Sequence, residues 1–201
     1  MSRRWNEILM DDHQATEKVF AALDNAFSAS QPPPVRMVSE AMEYLSVYLD
    51  RCHNHKEEDY LFPLIEKRGI PREGGPLAVM LAEHEESRRL LAVLTPLAKE
   101  YVAGHREVTE ALAEAFVAYS SLLKQHFWKE NDILYPMALR VLRPEDEASI
   151  LAGIERTEAA FGADTRAHFY TMAARIAAAG SVADLSAPFE TATIPSALEK
   201  K

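Results

Sequence analysis

Cysteine is almost missing from this 201-residue chain: the single Cys52 cannot close an internal disulfide, so the fold does not depend on an oxidising compartment. Glycine is scarce at 7 residues and aromatics make up 8%, a composition that suits helices better than turn-rich β architecture. There is no run of Lys or Arg, and the formal net charge is −9, which argues against nucleic acid or an anionic membrane as the main partner. The longest nearly apolar stretch, Leu90 to Ala98, falls far short of the ~20 residues needed to cross a bilayer. The first dozen residues carry no apolar leader core, so a cytoplasmic location is expected. What the chain does have is 48% hydrophobic against 26% charged residues, enough to bury one core.

Apolar residues recur at three- and four-residue spacing, with almost no alternating runs, which predicts an all-α protein. Four long segments are expected: Trp5 to Ala29, stopped by Pro32-Pro33-Pro34; Val35 to Lys67, stopped near Gly69; Pro76 to Gly104, interrupted by Pro96; and Arg106 to Leu142. Short connections between long helices make an up-down-up-down four-helix bundle the simplest package, over residues 1–143. Two shorter amphipathic stretches form an expected C-terminal helical extension packed on the bundle, residues 144–180. Residues 181–201, rich in Ser, Ala, Thr and Pro without periodicity, read as a mobile tail.

The second and fourth segments repeat one another. His53-Asn54-His55-Lys56-Glu57-Glu58-Asp59-Tyr60-Leu61-Phe62-Pro63 aligns with His126-Phe127-Trp128-Lys129-Glu130-Asn131-Asp132-Ile133-Leu134-Tyr135-Pro136, coinciding at His, Lys, Glu, Asp, Leu and Pro. Upstream histidines match too: His13 lies 40 residues before His53, and His84 lies 42 before His126. One His-x-x-x-Glu alone is weak evidence, since about one is expected by chance in a chain this rich in both, and His13–Glu17 is a third instance. The eleven-residue echo with its matched upstream histidines is far more specific and points to a duplicated helix pair.

Residues at i and i+4 stack on one helix face, so His53 with Glu57 and His126 with Glu130 each present an imidazole and a carboxylate inward. With His13 and His84, four histidines and two glutamates converge in the core. Two buried carboxylates without compensation cost several kcal/mol each, roughly, and a pair of cations removes that cost. The expected cofactor is two iron ions with bridging carboxylates and a bridging oxo or hydroxo group. Two imidazoles per metal, two shared carboxylates and the bridge make five ligands, leaving one octahedral position open on each ion. Mixed imidazole and carboxylate donors favour iron, with manganese or a four-coordinate zinc less favoured.

These residues resemble the hemerythrin-like family, also called the HHE cation-binding family. The resemblance rests on Asp11-Asp12-His13, on Cys52-His53 through Pro63, on Gly74-Gly75-Pro76 leading to Ala82-Glu83-His84-Glu85, and on His126 through Pro136. It departs from the oxygen-carrying members, which have a His where this chain has Met80 and an acid where it has Asn131. The order His, His-x-x-x-Glu, His, His-x-x-x-Glu is instead similar to di-iron relatives linked to repair after nitrosative stress and to peroxide decomposition. What the resemblance implies is a non-haem di-iron protein binding oxygen, peroxide or nitric oxide, an oxidoreductase in one reading. The alternative is an iron or oxygen sensor signalling through a protein partner. Glu17, Glu58, Tyr60 and Tyr119 are candidates for a supporting role around the ligands, with core packing the competing reading for the tyrosines. His55, His105 and His168 are read as exposed or structural, and Cys52 as a small buried apolar residue.

Overall fold

A computed structural model of the protein describes residues 3–181, so the segment read as a tail lies outside the described residues from 182 onward. Six helices form: α1 (Trp5–Ser28), α2 (residues 35–67), α3 (Pro76–Val102), α4 (residues 109–141, after one 3-10 turn at Arg106–Val108), α5 (Pro144–Phe161) and α6 (Thr165–Ser181). No strand occurs among the described residues.

Local chemistry sets the ends. After α2 the chain turns at Gly69, whose φ of 100° is open to glycine without strain, and the Ile70 N–H donates back to the Ile65 carbonyl at 3.0 Å. Helix α5 starts at Pro144, with Asp146 accepting the Arg143 N–H at 2.9 Å. The same Asp146 takes two hydrogen bonds from Arg68 at 2.7 and 3.0 Å, tying the end of α2 to the start of α5.

Cross-links run in reverse order between α1 and α2, between α2 and α3, and between α1 and α4. Thr16 meets Tyr44 while His13 meets His53, and Asp50 meets Arg88 while Glu58 meets His84. Trp5 meets Tyr135 while Asp24 meets Lys124. The bundle is therefore up-down-up-down, as the short connections predict. Helix α6 runs the same way as α1, with Tyr170 at Asp12 and Gly180 at Ala22.

The core is split into two apolar clusters. One gathers Trp5, Leu9, Leu61, Phe62, Ile65, Leu77, Met80, Leu134 and Tyr135, together with Ile150 and Ile154 of α5. The other gathers Val19, Phe20, Leu23, Tyr44, Tyr48, Leu94, Phe116, Tyr119 and Phe127, together with Phe169, Met172 and Ile176 of α6. Between them lies a layer of buried polar side chains.

Helices α2 and α4 are not regular. Each carries a π-helical turn, Glu57–Leu61 and Glu130–Leu134, in which the Phe62 and Tyr135 N–H groups reach the Glu57 and Glu130 carbonyls five residues back. A longer π stretch, Tyr44–His53, precedes the first. The prolines supply a reason. In an α-helix the rings of Pro63 and Pro136 would press on the carbonyls four residues earlier, and a widened turn just upstream relieves that clash. Where proline alone predicts a bend, the chain has a π turn that begins on each glutamate.

Helix α5 crosses α2 closely. A Cβ at Gly153 would stand 2.3 Å from the Tyr60 ring, so Gly153→Ala must push the helices apart. We expect it to cost about 1–3 kcal/mol, read as a lower denaturation midpoint.

Candidate metal centre

The six residues expected as ligands meet in the polar layer, each at most 1% exposed. His13 and His53 bring their Nε2 atoms to 3.0 Å, and His84 and His126 do the same at 3.0 Å. Glu130 lies across both pairs: its Oε2 is 3.3 Å from His13 Nε2 and its Oε1 is 3.3 Å from His126 Nε2. Glu57 Oε2 stands 3.6 Å from His53 Nε2 and 3.5 Å from His84 Nε2. Two overlapping groups result, Glu57 with His84, His126 and Glu130, and His13 with His53 and Glu130, with donor atoms within 4.8 Å of one another inside each group.

The outer nitrogen of every imidazole faces an oxygen: Asn131 Oδ1 at 2.9 Å for His13, Asp12 Oδ2 at 3.1 Å for His53, Glu58 Oε1 at 2.6 Å for His84 and Glu83 Oε2 at 3.1 Å for His126. Each Nδ1–H therefore donates outward, which turns the Nε2 lone pair inward. Inside, Glu57 Oε2 and both oxygens of Glu130 are buried without a hydrogen-bond donor. Such orphaned acceptors are uncommon and costly in protein interiors. Lone pairs converging on one buried point are what a pair of cations satisfies. The 3.0 Å between paired Nε2 atoms also equals the edge spanned by two adjacent ligands about 2.1 Å from one ion. The residues present fit a pair of cations.

Duplication reaches past the inward donors. The acid just before each upstream histidine, Asp12 or Glu83, holds the Nδ1 of the downstream one and pairs with the lysine of the repeat, Lys56 or Lys129. The residue after each inward glutamate, Glu58 or Asn131, holds the Nδ1 of an upstream histidine. Of these outer partners sequence reasoning raised only Glu58; aligning the two copies one residue further on each side brings out the rest.

Three of the candidates for a supporting role sit elsewhere. Tyr60, seven residues after His53, shares its stripe only in an unbroken helix; the π turn rotates it toward α5, where it lies on Gly153 and under Arg156. Glu17 is exposed, on the solvent ridge of α1 with Gln14, Lys18 and Ala21. Tyr119 is fully buried in the cluster containing Phe20, edge-on to that ring. The tyrosine that does reach the site is Tyr135, which is not among the candidates for a supporting role: its hydroxyl donates to Glu57 Oε1 at 2.6 Å while its ring stacks on His13. Its counterpart Phe62 stacks on His84 and has no hydroxyl to offer Glu130. Of the residues set aside, His55, His105 and His168 are exposed and Cys52 is buried, its thiol pushed up to about 12 by that burial.

That asymmetry appears in the electrostatics without metal. Burial, and then the negative charge of Glu57, push Glu130 up to about 8. Burial also opposes the Glu57 charge, but the neighbouring histidines outweigh it and hold this carboxyl well below its usual range. His84, despite burial, is raised to about 10 by Glu57 and Glu58, whereas burial lowers His13. Glu130 and His84 thus bind protons more tightly folded than unfolded, so their stabilisation is complete below their ordinary values of 4.5 and 6.5 and is lost as pH rises through about 8 and about 10. Chelated protein should therefore melt at progressively lower temperature between pH 6.5 and 9.5, and metal-loaded protein, in which the cations replace those protons, should lose much less.

The family model described as Hemerythrin HHE cation binding domain matches residues 6–138. An iron-sulfur cluster repair protein YtfE of Salmonella typhimurium is 32% identical over 102 residues, 48% of this chain and 46% of the relative. Proteins of the same name from Yersinia pseudotuberculosis and Yersinia pestis are 33% identical over 90 residues, 44% of this chain and 41% of each relative. The chain thus spans less than half the length of these curated relatives. No solved structure gives a significant match. Among the described residues no helix is long and apolar enough to cross a membrane.

Proposed function

Because the chain belongs to the hemerythrin HHE cation binding domain family, we propose that it is a cytoplasmic di-iron protein that binds a small oxidant, peroxide, nitric oxide or oxygen, and consumes peroxide. The observation that carries this reading is the convergence of four inward Nε2 atoms on three donorless buried carboxylate oxygens. His13, His53, His84, His126, Glu57 and Glu130 would hold the irons, Glu130 offering one oxygen to each half. Two irons there supply redox-active centres with coordination positions left for a small ligand.

The chain's own residues do the rest. The outer acids and Asn131 fix the imidazoles in the tautomer that binds metal. Tyr135, kept protonated by burial and by Glu130 and Glu57, holds Glu57 from one side and keeps a proton donor beside the site. The two apolar clusters shut out bulk water above and below. The relatives' role in iron-sulfur cluster repair, given by their name, supports a setting of oxidative or nitrosative stress. Iron-loaded protein titrated separately with hydrogen peroxide, nitric oxide and oxygen should change its visible absorption with at least the first two and consume peroxide catalytically. A spectrum indifferent to all three would overturn the reading.

A further inference from the structure

The two halves of the site repeat the same residue types in the same register, but only one is covered. Asp12 and Lys56 are fully buried beneath α5 and α6, while their counterparts Glu83 and Lys129 have side chains 15% and 28% exposed. The cover is bonded in, not merely laid on. Asp12 Oδ1 accepts the Tyr48 hydroxyl at 2.6 Å and the Tyr170 hydroxyl of α6 at 2.7 Å. Its Oδ2 accepts Lys56 Nζ at 2.9 Å and His53 Nδ1 at 3.1 Å. Lys56 Nζ in turn lies 2.7 Å from Glu158 of α5, which two nitrogens of Arg166 hold at 2.9 and 2.7 Å. Two acids and two bases form a balanced chain from helices outside the family match, which ends at residue 138, to the imidazole of His53.

We propose that Tyr170 and Glu158 are positioning residues of the metal centre, acting through Asp12 and Lys56 on His53, so that α5 and α6 govern metal retention in the His13–His53 half and not in the His84–His126 half. Tyr170 fixes the carboxylate that orients His53, and Glu158 shares Lys56, which would otherwise draw on Asp12 alone. In the other half the matching carboxylate, Glu83, is held by Lys129, and among the described residues no residue of the extension is bonded to it. Partners of this kind are worth about 10–100-fold in metal affinity.

The inference rests on the two-metal reading, and its test separates the two. Metal release to an excess of chelator is followed by time-resolved metal analysis on full-length, iron-loaded wild type, Tyr170→Phe, Glu158→Gln, Glu83→Gln and Ile176→Val. Tyr170→Phe and Glu158→Gln should each speed the loss of one metal per chain about 10-fold and leave the other unchanged, while Glu83→Gln speeds the other. Ile176→Val, which trims the packing of α6 on the bundle, should lower the melting temperature without altering either release step. Equal acceleration of both metals by Tyr170→Phe, no acceleration, or an Ile176→Val effect of the same size would overturn the inference. A wild type that carries fewer than two metals fails the underlying reading instead.

Discussion

Glu57→Gln combined with Glu130→Gln is expected to strip the protein of metal while leaving it folded, and to make the metal-free form more stable than metal-free wild type. An amide cannot supply the charge that offsets two cations, so affinity should fall by more than the ~10–100-fold that outer partners are worth. Stability moves the other way above about pH 8, where Glu130 has given up the proton it holds without metal and three carboxylate oxygens are buried without donors. Gln offers N–H groups to the inward Nε2 lone pairs, and satisfying such acceptors is worth about 1–3 kcal/mol. Metal analysis with thermal melts under chelation reads both. Retained iron in the double variant would refute the role given to the carboxylates, and a chelated variant less stable than chelated wild type above that pH would refute the account of the orphaned oxygens.

The second large effect separates two acids that look equivalent in the repeat. Asp12→Ala should destabilise the protein by about 3 kcal/mol or more, since it deprives a fully buried Lys56 of one of its two carboxylates and leaves the Tyr48 hydroxyl without its acceptor. Although burial raises it, Asp12 is held far below the usual carboxylate range by Lys56 and His53, so the charge lost is a full one. Glu83→Ala should cost less, about 1 kcal/mol, because Lys129 can turn to water and only the His126 Nδ1–H loses its acceptor. Both variants nonetheless loosen an imidazole and should weaken metal binding. Denaturation midpoints and metal titration measured on the same samples distinguish the two scales; equal destabilisation would contradict the burial argument.

What was legible in the sequence follows from what periodicity and repetition can carry. Helix spacing, the proline and glycine stops and the eleven-residue echo lead to four antiparallel helices and to six inward side chains meeting at one layer. The π turns are invisible to that reasoning, because a 3.6-residue period has no signal for one inserted residue. An unbroken period puts Tyr60 on the inward stripe, whereas the structure turns it toward α5 and brings the hydroxyl of the core residue Tyr135 to Glu57. The Asp12–Tyr170 bond joins residues 158 apart in the chain, and nothing local announces it. Asp12, Glu83, Lys56 and Lys129 were within reach, since they repeat with the histidines, yet charged residues on long helices are ordinarily solvated.

Anomalous diffraction at the iron edge from crystals of iron-loaded protein, with iron per chain measured on the same preparation, addresses the central claim most directly. Two scatterers about 3.5–4 Å apart are predicted, one against His13 and His53 and the other against His84 and His126, with Glu130 between them. A single scatterer, or two lying away from those imidazoles, would contradict the account.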